Sequence, residues 1–198
     1  MGRKTIIVTG IPGVGKTTVL SELMKLAKNE KKDIKIFNYG LMMLETAKYQ
    51  GKKIERDKLR HMPLKTQQRL QDKAAIEIAK RTKTVDTSVI DTHMIVRTDN
   101  GYWSGLPLNI LEKLNPDLLI LVESEPKEVL LRRTKDETRS RDKIMKDEIK
   151  EEINFSRYVA ASCATLTGAP VLMLKNPSGE QLKVAKQIFE VIKLLDSD

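Results

Sequence analysis

Several residue types are scarce in this sequence, and each scarcity closes off a class. There is one cysteine, Cys163, which rules out an internal disulfide and a cysteine cluster for zinc. Two histidines, His61 and His93, are too few for the usual catalytic zinc set. No apolar run reaches the roughly 18 residues that a membrane helix needs. The first ten residues lead directly into a strand and a glycine-rich turn, so no secretory leader is expected. No repeat, linker or low-complexity tract interrupts the chain. A reducing, cytoplasmic setting is the expectation.

What remains suits one soluble domain over residues 1–198, with 40% hydrophobic and 32% charged residues. The net charge of +9 invites phosphate-rich partners, either nucleic acid or free nucleotides. Most of the excess sits between Lys48 and Lys83, where 12 Lys/Arg face 4 Asp/Glu. Tyr49 is the only aromatic residue there, which argues against a base-stacking nucleic-acid surface.

Five apolar runs read as strands: Thr5–Thr9, Ile34–Asn38, Ser88–Asp91, Leu118–Glu123 and Val171–Lys175. Four are near-continuous in Val, Ile and Leu, as in parallel strands covered on both faces. Helical spacing occupies residues 16–29, with Val19, Leu20, Leu23, Met24 and Ala27 on one face. It recurs over 63–81, after Pro126, over 144–167 before Gly168, and after Ser178–Gln181, which reads as a capping box. The alternation predicts an α/β fold, a parallel sheet with helices on both faces. Ligands bind such sheets beyond the C-terminal ends of the strands.

The first strand runs into Gly10-Ile11-Pro12-Gly13-Val14-Gly15-Lys16-Thr17, followed by Thr18. This is the G-x-x-x-x-G-K-[ST] phosphate loop in its required place, after a strand and before a helix. Its glycines let successive N–H groups turn toward a phosphate, and the helix adds the positive end of its dipole. Lys16 can reach the β and γ phosphates, and the Thr17 hydroxyl can ligate Mg²⁺. No Asn-Lys-x-Asp base-reading motif accompanies the loop, which argues against a GTPase switch. Asp91 closes a middle strand, where a carboxylate can hold Mg²⁺ through its waters. The stretch Arg132–Asp142 carries Arg132, Arg133, Arg139 and Arg141, either a solvated face or a flap that neutralises a transferring phosphoryl group. His93 reads equally as a loop histidine or an acceptor contact. Met42 and Met43 line an acceptor base or fill the core, with the core favoured. Trp103 is placed in a loop from Gly101 to Pro107. Cys163 reads as helix packing, and no residue has the look of a poised nucleophile.

Taken with further strings, these residues resemble the archaeal adenylate kinases, a branch of the nucleoside monophosphate kinases. The strings are Asn38-Tyr39-Gly40, Arg56-Asp57 with Arg60, Ile90-Asp91-Thr92-His93, Arg97-Thr98 and Gly101-Tyr102 with Gly105-Leu106-Pro107. Later come Thr138-Arg139 with Arg141, and Asn154-Phe155 with Arg157-Tyr158. The resemblance implies a five-stranded parallel sheet with two covers: an insert near residues 39–68 over the monophosphate and a short lid near 133–147 over ATP. It implies conversion of ATP and AMP to two ADP, with Mg²⁺. By position, residues 10–18 hold ATP, Arg132 lies near its adenine, and Thr17 and Asp91 (through water) serve the metal. Arg60 and Arg97 grip the AMP phosphate, Gly40 and Gln68 border the acceptor, and Arg139, Arg141 and Arg157 act with Lys16 in transfer. Gln68 is equally a surface glutamine. The resemblance also implies a homotrimer. One departure stands out: Leu41 occupies the position where the family usually has Asp. That Asp either shapes the acceptor pocket or only caps the next helix. Another monophosphate such as UMP or CMP, or an RNA-associated ATPase, is the competing reading.

Overall fold

The computed structural model describes residues 2–49, 54, 56–98, 101–135 and 146–195. In chain order these form β1 (Lys4–Thr9), α1 (Lys16–Asn29), β2 (Ile34–Asn38), α2 (Tyr39–Tyr49) and a short 3₁₀ turn, Arg56–His61. There follow α3 (Leu64–Thr82), β3 (Thr87–Asp91), β4 (Ile95–Thr98), β5 (Gly101–Ser104) and α4 (Leu108–Leu114). The chain closes with β6 (Leu118–Glu123), α5 (Pro126–Lys135), α6 (Lys146–Thr167), β7 (Val171–Lys175) and α7 (Gln181–Leu195).

Five strands make one parallel sheet in the order β2-β3-β1-β6-β7. Side chains alternate across it, and both faces are dry. Ile6, Val8, Val89, Ile120 and Val122 pack with Val19, Leu20 and Leu23 of α1 and with Val184 and Ile188 of α7. Ile7, Ile90, Leu119 and Leu121 face the other way, onto Leu70, Ala74 and Ile78 of α3 and Ile110 and Leu111 of α4. Burial on two faces explains why β1, β3 and β6 carry unbroken apolar runs. The edge strands β2 and β7 are more exposed.

The sheet expected from sequence is therefore present, and the five expected helices keep close to their bounds, while α2 and α4 lie outside every expected helical stretch. Three local readings are corrected. Trp103 lies in a strand: β4 and β5 form an antiparallel ribbon pairing Val96 with Trp103. Met24 is at the margin of α1 rather than in its buried face. The Ser178 capping box does not form. Helix α7 begins only at Gln181, and the Ser178 hydroxyl accepts a hydrogen bond from Arg132 Nη2 at 3.0 Å. Gly168 does end α6 in the left-handed conformation (φ 74), its N–H donating to Ala164 O at 2.8 Å.

Met42 and Met43 are buried in the core beneath α2. Cys163 is buried on α6, and burial pushes its thiol up to about 11, so it is no nucleophile at neutral pH. Ile120 is wholly buried in β6, whereas Met173 on β7 is 59% exposed. Ile120→Ala is expected to cost about 2–5 kcal/mol in urea unfolding, and Met173→Ala no more than about 0.5 kcal/mol. Equal losses would contradict the two-sided burial.

Candidate active site

Strand β1 lies between β3 and β6; the crossover from β1 runs to β2 on one side and the one from β3 to β6 on the other, so the loop after β1 opens into the crevice of the sheet. The residues of that loop are gripped from outside by their carbonyls. His93 Nδ1 meets Gly10 O at 2.7 Å, and Val14 N–H donates to Ile11 O at 3.4 Å. Arg133 Nε donates to Pro12 O at 2.8 Å and Arg132 Nη1 to Gly13 O at 3.4 Å. Asn176 Nδ2 donates to Val14 O at 2.7 Å, with Ser124 Oγ at 3.2 Å. Gly15 O takes the N–H groups of Thr18 and Val19, both at 3.1 Å. In a planar trans peptide the C=O and the following N–H point opposite ways. Engaging the carbonyls of Pro12, Val14 and Gly15 outward therefore turns the N–H groups of Gly13, Gly15 and Lys16 inward. The result is a cradle for an oxyanion at the start of α1.

Gly15 enters α1 at φ 85, and a Cβ there would stand 2.6 Å from Asn176 Nδ2. Only glycine meets both conditions. Lys16, the first residue of α1, is buried and its Nζ pairs with Asp91 Oδ1. The other carboxylate oxygen of Asp91 accepts from Asn38 Nδ2 at 2.5 Å. Thr17 and Thr18 are exposed at the helix start.

The remaining residues named from sequence fall in three groups. Arg132 sits beside the loop, bonded also to Ser124 Oγ (2.9 Å) and Asn176 O (3.2 Å). Arg157 and Arg97 are each held by a carboxylate. Arg157 makes two 2.6 Å bonds to Glu123, which closes β6 and keeps the guanidinium even more firmly protonated than usual. Arg97 makes two 3.3 Å bonds to Glu148 in the first turn of α6, with the same direction of effect. Gly40 lies in the first turn of α2, and Gln68 is exposed on α3. The backbone of Arg60 is in the 3₁₀ turn. Arg139 and Arg141 lie outside the described residues.

Sequence reasoning passed over Glu123, Ser124 and Asn176, although all stand at or just beyond strand ends. It assigned Arg133 to the flap. The structure buries Arg133 at the end of α5, where Nη2 bonds Glu152 Oε2 at 2.6 Å and Nε holds Pro12. Leu41 is 49% exposed, and its N–H donates to Asn38 Oδ1 at 2.9 Å, so the cap of α2 comes from Asn38 and not from residue 41.

The chain is 42% identical over 193 residues to an adenylate kinase of Methanocaldococcus jannaschii, covering 98% of this chain and all of that protein. It belongs to the adenylate kinase family. An adenylate kinase of Sulfurisphaera tokodaii is 43% identical over 186 residues, 92% of this chain and 96% of that one. A family model described as an AAA domain matches residues 9–150, from the phosphate loop into α6. Among solved structures, a shikimate kinase from Bacteroides thetaiotaomicron aligns with a TM-score of 0.56 at 15% identity, over 96% of this chain and 98% of its own. That likeness concerns the fold.

Gly15→Ala is expected to lower stability by more than about 1 kcal/mol in urea unfolding, and to weaken ATP binding in calorimetry. Adding Asn176→Ala removes the close contact but leaves the backbone strain and also loses the bond to Val14 O, so recovery is expected to be partial at most. Full recovery would show that the left-handed backbone carries no cost.

Proposed function

We propose that this chain transfers the terminal phosphoryl group of ATP to AMP, directly and in line, yielding two ADP. The observation that carries the reading is the outward-gripped loop with Lys16 and Asp91 at its mouth, in a chain of this family over nearly its whole length. Among the described residues, no group of three or more His, Cys, Asp or Glu could hold a metal. The Thr17 hydroxyl and the Asp91 carboxylate are hard oxygen donors and fit Mg²⁺ that arrives on the phosphates of ATP. When bound, Mg²⁺ neutralises charge on those phosphates.

The residues then divide the work. The N–H groups of Gly13, Gly15 and Lys16 hold phosphate oxygens, and Lys16 Nζ exchanges Asp91 for them. Ile11, Pro12, Val14 and Gly10 shape the loop, and Arg132 packs near the adenine. Arg60 and Arg97 receive the AMP phosphate, bordered by Gly40 and Gln68. Arg157, Arg139 and Arg141 spread the charge that develops on the moving group. The transition state is loose and needs no strong base, so orientation and charge dominate. Closure of the 39–68 insert and of a lid over ATP, expected over 133–147 but without Arg133, excludes water and so suppresses hydrolysis. Within 1–198 these form one kinase domain. No described helix is long and apolar enough to cross a membrane. The lone cysteine supports a reducing, cytoplasmic setting, and the resemblance supports a homotrimer, for which sedimentation should give three times the 22.5 kDa protomer mass.

The test is ADP formation from ATP with AMP, GMP, CMP or UMP and magnesium. AMP is expected to be preferred, and Lys16→Ala to abolish transfer with the fold retained. Arg141→Ala is expected to lower turnover by on the order of 10³-fold, and a loss under tenfold returns Arg141 to a solvated face. Absence of ADP with every acceptor would overturn the proposal.

A further inference from the structure

Asn38 and Asp91 are register partners at the C-terminal ends of β2 and β3, so their side chains leave the sheet side by side. One carboxamide makes two bonds in opposite directions. Its oxygen accepts from Leu41 N–H at 2.9 Å and caps α2, the first segment of the acceptor cover. Its nitrogen donates to Asp91 Oδ2 at 2.5 Å, while Lys16 Nζ takes Oδ1. The cap settles which end of the amide faces Asp91, because a backbone N–H requires an acceptor. Asp91 is thus fixed by a donor that Lys16 does not supply. When Lys16 turns to the phosphates of ATP, this second bond is what still holds the carboxylate at the loop.

We propose that Asn38 is a positioning residue: it aims the Asp91 carboxylate at the metal side of bound ATP and fastens that carboxylate to the hinge of the acceptor cover. This rests on the phosphotransfer reading above. Asn38 touches no reacting atom in this account, and it acts through Asp91 on one side and through α2 on the other.

The two halves of the amide separate by substitution. Asn38→Ser keeps an equally good cap but is too short to cap and reach Asp91 together. Asn38→Asp keeps the cap and turns the donor into an acceptor opposite Asp91. Asn38→Ala removes both bonds. For Asn38→Ser we expect kcat to fall at least tenfold, KM for AMP to stay within twofold, and the thermal midpoint to hold. Asn38→Asp is expected to lose more turnover than Asn38→Ser. Asn38→Ala is expected to add a raised KM for AMP. ATP binding by calorimetry gives a readout apart from turnover. In EDTA the affinity of Asn38→Ser should match the parent, and the gain on adding Mg²⁺ should shrink several-fold. If Asn38→Ser and Asn38→Asp match the parent in kcat and in that gain, Asn38 is a helix cap only and the proposal is overturned. If the parent itself makes no ADP, it is the phosphotransfer reading that fails. Should Asn38→Ala fail to fold, the Ser and Asp variants decide alone.

Discussion

The cradle depends on carbonyl groups being pulled outward. A glycine-rich turn of eight residues has too few side chains to hold its own shape, and an unliganded nest of N–H groups is not a stable arrangement by itself. Here the shape is imposed by neighbours. Arg133 takes Pro12, Arg132 takes Gly13, Asn176 and Ser124 take Val14, and His93 takes Gly10. The five donors come from four places in the fold: α5, which supplies both arginines, the ends of β6 and β7, and the segment after β3. Preorganisation of this kind is what allows a backbone to stabilise charge without rearranging when charge appears.

Ion pairs around the crevice follow a related logic. Lys16, Arg157 and Arg97 all rest on carboxylates: Asp91, Glu123 and Glu148. A cation withdrawn from water needs a partner, since an unpaired buried charge costs several kcal/mol or more. For the buried Lys16 the pairing is obligatory in the absence of phosphate. Arg97 and Glu148 are both well exposed, and their pair is correspondingly weak and easy to exchange. Arg157 is half exposed, but it grips a buried Glu123 with two 2.6 Å bonds, which is a firmer pair. Lys16–Asp91 and Arg133–Glu152 are buried on both sides, and the second holds the loop.

The sheet was legible because burial on two faces writes itself as continuous Val, Ile and Leu, and the phosphate loop because glycine spacing is dictated by backbone geometry. Lys16 and Asp91 came with them. The donors that hold the loop were not legible, because Ser124, Asn176 and Arg133 act through contacts 110 to 162 residues away in sequence. No periodicity records such a contact. A stricter reading of strand ends would have found most of them, since Asn38, Asp91, Glu123 and Asn176 each close a strand or follow one directly. The β4–β5 ribbon was missed for another reason: four residues per strand leave too little alternation to read. Arg133 reads as a lid residue from its charged neighbours in sequence, and only its place at the end of α5, against Pro12, shows otherwise.

The grip on Val14 comes from Asn176, 162 residues downstream, and α7 lies across α1 later still. The loop therefore precedes its own support by most of the described chain. A polypeptide cut short of Asn176 would keep the glycine turn but lack the amide that draws Val14 O outward, and its cradle would be slack.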